Sequence, residues 1–134
     1  MKNKITLITP PDLFQNSSLS VLFVDISAKD QETISDWFYK NENEVDLNLY
    51  FYSADSDAQW LLSALNRCDL TFIDVDQLSP EPSLLLGYIL SKPKVYFQCR
   101  QDESAKTLNL INTNQVPDVK YFLDEILNLR LVDK

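Results

Sequence analysis

Short apolar runs alternate with segments of helical period along this chain. Ile5 to Ile8 is a four-residue β-type run closed by Pro10-Pro11, and Asp12 to Ser20 reads as a polar loop. Val21 to Ile26 is almost continuously apolar, the pattern of a strand buried on both faces. Ser27 or Asp30 then caps a helix to about Lys40, with Ile34, Trp37 and Phe38 on one face. Asn41 to Glu44 breaks it, and Leu47 to Tyr52 is the next strand. Asp55, Ser56 or Asp57 caps a second helix carrying Ala58, Leu61, Leu62 and Leu65 at helical spacing. Leu70 to Val75 is a strand, Ser79 to Ser83 a turn that enters a helix reaching about Ser91. Pro93 ends that helix, and Lys94 to Cys99 is the following strand. Arg100 to Gln115 is polar with scattered Leu108, Leu110 and Ile111, and fits no single element. From Asp118 onward, Val119, Phe122, Leu123, Ile126 and Leu127 form an unbroken helical stripe.

Strand and helix in alternation predict an α/β fold with a mostly parallel sheet of about five strands. Right-handed crossovers then set helices on both faces, giving three layers. Residues 1–134 read as one α/β domain, with residues 1–20 as an N-terminal strand and loop extension. Tyr50, Phe51, Tyr52, Tyr96 and Phe97 sit at strand spacing and are assigned to the core, not to base stacking.

Composition narrows the chemistry. The 134 residues include one glycine, where an average chain would hold about nine. One glycine cannot build a Gly-rich phosphate loop. The absence of histidine removes His-based triads and His-ligated metal. A net charge of −8 argues against a phosphate backbone as partner, so no nucleic acid is expected. Lys92 and Lys94 form a close cationic pair. Cys68 and Cys99 are too few for a disulfide scaffold, lie beside apolar runs, and are expected as buried free thiols. Met1 to Pro10 lacks the apolar core of a signal peptide, and no apolar run has the length of a membrane span. The expectation is a cytoplasmic protein without a membrane partner, and with neither metal nor cofactor.

In an open parallel sheet, ligands sit beyond the carboxyl ends of the strands. That edge places Asp25 and Ser27 after one strand, Ser53, Asp55 and Asp57 after the next, then Asp74, Asp76 and Gln77, then Gln98 and Arg100. Such carboxylates suit sugar hydroxyls, a divalent cation or acid–base work. For Asp55 and Asp57 the competing reading is helix capping. A phospho-receiver reading fails, because it needs a paired acidic motif after the first strand and a late lysine where Arg100 stands.

The segment Asp57 to Gln98 resembles the nucleoside 2-deoxyribosyltransferase-like family. Gln59-Trp60 matches its helix motif, Cys68-Asp69 stands where that family has Ala-Asp before a strand, and Ser79-Pro80 fits its loop. Leu86-Gly87-Tyr88 resembles its Glu-Leu-Gly helix, and Ser91-Lys92-Pro93 its lead into the next strand. Trp37 and the run Leu22 to Ser27 also line up, so the resemblance covers about two-thirds of the chain. It implies a Rossmann- or flavodoxin-like three-layer domain.

The family's glutamate nucleophile would stand two residues before Gly87, and that position is Leu85. Leu61 replaces a second glutamate, and Asp25-Ile26-Ser27 replaces a glycine-containing loop. The expectation is therefore a non-catalytic member, acting in protein interaction, self-association or assembly, or binding a nucleoside or nucleotide. Its ligand-side candidates are Asp25, Ser27, Asp57, Gln59, Asp74, Asp76 and Ser83. The alternative is an active transferase or N-glycoside hydrolase with relocated carboxylates: Glu81, Asp74 and Asp76 as catalytic candidates, with Asp25 beside them. A third reading, an acidic decoy for a nucleic-acid-binding protein, rests on the charge alone. Gly87 is expected to serve close helix–sheet packing.

Overall fold

The computed structural model describes residues 5–8, 19–41, 47–52, 58–92 and 94–132. Four strands form a parallel sheet flanked by helices: β2 (Ser20–Val24), β3 (Leu47–Tyr52), β4 (Leu70–Asp74) and β5 (Val95–Gln98). Their spatial order is β3-β2-β4-β5, and β1 (Ile5–Ile8) runs parallel to β3 beyond that edge. The helices are α1 (Ala28–Asn41), α2 (Ala58–Arg67), α3 (Pro80–Leu84), α4 (Leu86–Leu90), α5 (Asp102–Leu108) and α6 (Val119–Val132).

Strand alternation divides the core. Val21, Phe23, Leu49 and Phe72 join Ile34 and Trp37 of α1 and Val119, Phe122, Leu123 and Ile126 of α6. The intervening strand positions Leu22, Val24, Tyr50, Tyr52, Ile73 and Phe97 join residues of α2, α4 and α5. Thus β2 is buried on both faces, which is why its sequence is a continuous apolar run. On the first face Phe122 packs edge-on to Phe23 and tilted against Phe72, with centroids 5.9 and 5.2 Å apart. Each such pair adds about 0.5–1.5 kcal/mol beyond area burial. Among the described residues no helix is long and apolar enough to cross a membrane.

Several boundaries differ from the expectations. The β2 strand stops at Val24, because Asp25 turns left-handed with φ 52°. The β4 strand stops at Asp74, because its carboxylate accepts the Asp76 N–H and closes a 3-10 turn over Val75–Gln77. The single helix expected to reach Ser91 is two short ones broken at Leu85 (φ −97°, ψ 6°). Two prolines in α3 and Gly87 in α4 leave that stretch with weak helical propensity. A Cβ on Gly87 would meet open space, so close helix–sheet packing is not its role. Cys68 and Cys99 are both free; Cys99 is buried as expected, but Cys68 is only half-buried. The Asp55, Ser56 or Asp57 cap lies outside the described residues.

The ambiguous stretch resolves into α5 and a return segment. Buried Asn112 donates from Nδ2 to the Leu90 and Val95 carbonyls and accepts the Asn114 N–H at Oδ1. The Phe97 N–H donates to the Asn114 carbonyl, and the Val116 N–H to that of Phe97. This segment covers the outer edge of β5, which would otherwise present unpaired backbone groups.

Candidate functional site

The order of the strands reverses between β2 and β4. Crossovers leave β2 on one side toward β3 and return on the other to β4, and the carboxyl edge at such a switch point is where open parallel sheets bind ligands. Three groups of polar side chains meet this edge.

The first begins at Asp25. Left-handed backbone costs an L-residue about 1–2 kcal/mol, and Asp is one of the few residues that occupy it. Three hydrogen bonds hold Asp25 there. Its N–H donates to the Tyr52 carbonyl at 3.0 Å, and its Oδ2 accepts the Ser79 N–H at 2.9 Å and the Ser79 hydroxyl at 2.6 Å. The end of β2 is thereby tied to the loop that enters α3.

The second pairs Tyr52 with Glu81. The buried Tyr52 hydroxyl donates to Glu81 Oε2 at 2.8 Å. Burial pushes the Tyr52 phenol well above its ordinary value, and the hydrogen bond and charge of Glu81, then the charge of Asp25, push it further. Tyr52 therefore stays a hydrogen-bond donor. Glu81 lies one helical turn before Leu85, whose N–H donates to its carbonyl at 3.1 Å. Leu85 itself is half-buried and packs against the apolar cluster of α2 and α4.

The third centres on Asp74, which is fully buried. Its Oδ1 accepts the Asp76 N–H at 3.1 Å and its Oδ2 the Gln98 Nε2–H at 3.2 Å. Burial pushes its carboxyl up to about 6; the Asp76 N–H and the charge of Arg100 oppose this, while the charges of Asp76 and Asp30 add to it. Asp76 Oδ2 accepts the Arg100 N–H at 2.8 Å, and the guanidinium stands 3.7 Å from Asp76 and 3.9 Å from Asp74. Arg100 is largely exposed, so these ion pairs are screened and contribute less than about 1 kcal/mol.

Ser27 caps α1, its Oγ accepting the Asp30 N–H at 3.2 Å. Asp30 is buried and its Oδ2 has no hydrogen-bond partner; Gln98 Oε1 is equally buried and equally unpartnered. A buried acceptor without a donor costs about 1–3 kcal/mol, so each marks a place where a donor is missing.

Of the sequence candidates, Asp25, Ser27, Asp74, Asp76 and Glu81 stand at this edge through the contacts above. Gln59 and Ser83 are exposed on α2 and α3 and are not brought into these three groups, and Asp57 lies outside the described residues. Sequence reasoning missed Tyr52, Ser79 and Asp30 as members. Tyr52 also belongs to the core, and its hydroxyl at the strand's last position is the signal that could have found it. Among the described residues no group of three or more acidic or thiol side chains is placed to hold a metal.

Comparison of the chain with protein-family models, with curated proteins and with solved structures gives no match.

Proposed function

We propose that this chain is a ligand-binding domain of nucleoside 2-deoxyribosyltransferase-like type that has kept the scaffold without the nucleophile. In this reading the sheet is the middle layer of a three-layer, Rossmann-like domain of five strands, and the ligand lies over the carboxyl edge of β2 and β4. The observation that carries it is the pair of buried, unpartnered acceptors, Asp30 Oδ2 and Gln98 Oε1, bordering Asp74. A ligand that brings hydroxyl or amino donors relieves both. Asp25, Asp76 and Glu81 outnumber Arg100 at the edge, which favours an uncharged ligand such as a nucleoside over a nucleotide. Leu85 at the position of the expected nucleophile supports binding without turnover.

Deoxynucleosides are expected to raise the melting temperature; a ligand present at about 100 times its Kd adds about 2.7 kcal/mol to the folded state. In the same tubes, no base release or exchange is expected. Absence of any shift across the common nucleosides overturns the reading.

A second reading has its own support. Glu81 is oriented by Tyr52, while Asp74 holds its proton up to about pH 6. Two carboxyl groups whose environments differ in this way match the division of labour in glycoside-bond cleavage. Base release that is abolished by Glu81→Gln or Asp74→Asn would replace the binding reading with this one.

A further inference from the structure

At the opposite, amino-terminal end of β4 and β5 a cavity of about 280 Å³ opens between these strands and the end of α2. Its lining includes Lys92, Lys94, Asn66, Thr71, Cys68 and Asp69. In a chain of net charge −8, this groove brings Lys92 and Lys94 together.

Donors outnumber acceptors in this lining. Lys92 Nζ donates to Asn66 Oδ1 at 3.3 Å and lies 4.6 Å from the centroid of the Tyr88 ring. With Oδ1 engaged by a donor, the two N–H bonds of the Asn66 amide point elsewhere, and no described residue accepts them. The Lys94 side chain makes no ion pair among the described residues, and its carbonyl accepts the Thr71 N–H at 3.0 Å, which sets these two residues side by side. The one carboxylate of the lining, Asp69, sets one negative charge against the two lysines, and its Oδ2 accepts the Ser20 N–H at 2.8 Å. The Cys68 thiol is pushed up to about 12, by burial first and by the charge of Asp69 second, so it adds no negative charge at neutral pH.

We propose that this groove binds a phosphate group, either free phosphate or the phosphate of a small monoester. Two ammonium groups, an amide N–H₂ and a hydroxyl offer more donors than a carboxylate has acceptor sites, and they suit a doubly charged tetrahedral oxyanion. The volume falls just below the range of drug-sized pockets, so the ligand is compact. The overall charge repels a polyphosphate or nucleic-acid backbone. This site is separate from the carboxyl edge and independent of the function proposed there.

The test is a titration of the isotopically labelled protein, followed by amide chemical shifts at constant ionic strength. Inorganic phosphate and glycerol phosphate are the ligands; glycerol and chloride are the controls. Saturable shifts confined to Asn66, Thr71, Lys92 and Lys94 are expected with the two phosphates alone. Lys92→Gln and Lys94→Gln should each weaken binding about tenfold, the difference made by one charge-assisted contact. Asn66→Asp, which leaves both lysines in place, should weaken it too, and Lys120→Gln should not. Tighter binding of the monoester assigns the groove to an organic phosphate, and equal affinities assign it to the free ion. Shifts that never saturate, that chloride reproduces, or that persist in the doubly substituted Lys92→Gln/Lys94→Gln protein overturn the proposal.

Discussion

At the carboxyl end of β4 a carboxyl group lies fully buried, while at the amino end of the same strand two lysines border an open groove. The carboxyl end engages its charges internally: Asp25 with Ser79, Glu81 with Tyr52, Asp76 with Arg100. The amino end leaves ammonium groups on long stems in contact with water. Burial couples a charge to the stability of the fold and to pH, because the ionised form loses its hydration. Exposure uncouples it and leaves it free to meet a ligand. Perturbing the first end should therefore change folding, and perturbing the second should change binding with little effect on folding.

Asp74 gives the largest expected effect. Its carboxyl is raised from 3.8 to about 6 by burial, so the folded chain takes up a proton more readily than the unfolded one. The stability gained by protonation is fully present below about pH 4 and is lost as pH rises through about 6. That difference corresponds to at most about 3 kcal/mol. Asp74→Asn removes the buried charge and keeps an acceptor for the Asp76 N–H. Half a turn of the Gln98 amide then lets Oε1, unpartnered in the native protein, accept an N–H from the substituted side chain. The variant should be more stable than the native chain by about 1–3 kcal/mol above about pH 7, and the difference should vanish near about pH 4. Denaturant unfolding at a series of pH values measures it. A variant equally destabilised at every pH would show that Asp74 is held as a fully compensated carboxylate, and the contrast between the two ends would fail.

Tyr52→Phe comes next. It removes a hydrogen bond to a carboxylate from a side chain otherwise in the core, and should cost about 1–2 kcal/mol. Glu81 is exposed and regains water, which keeps the loss at the lower end. Glu81→Gln alone, which preserves an acceptor for the Tyr52 hydroxyl, should retain most of the native stability in thermal unfolding.

Periodicity carries much of this architecture. The continuous apolar run of β2 and the stripe of α6 report directly on burial, because side-chain direction repeats with the backbone. The acidic character of the carboxyl edge is legible for the same reason, since strand ends are readable. Its pairing is not. Asp25 meets Ser79 and Tyr52 meets Glu81 across 54 and 29 residues, and no local pattern encodes such distances. The left-handed turn is equally hidden: no glycine in Asp25-Ile26-Ser27 marks it, and the positive φ falls on Asp25, which tolerates it. In the sequence Asp30 is a capping choice beside Ser27. Ser27 provides the cap, and Asp30 is buried with one oxygen unpartnered. Asn112 is concealed in a polar stretch because a buried amide looks like any loop amide until its three partners are in place.

The two smallest effects complete the contrast. At Asp25, Gly removes the left-handed strain together with the Ser79 bonds, while Ala removes the bonds and keeps the strain. The Ala variant should be less stable than the Gly variant by about 1 kcal/mol in chemical unfolding, and equality would show that the backbone there relaxes. At the amino end, Lys94→Gln should change stability by less than about 0.5 kcal/mol, as substitutions at solvated positions do, and half-buried Lys92→Gln by less than about 1 kcal/mol. Lys92 loses its contact with the exposed Tyr88 ring, but that contact contributes only about 0.5–1 kcal/mol and the Gln stem keeps part of the packing. Removing positive charge from a chain of net charge −8 adds self-repulsion, so any loss should shrink as salt is raised. A loss above about 1 kcal/mol that salt does not reduce would make these lysines part of the fold. The two ends would then differ in the sign of their charge and no longer in how charge is coupled to folding.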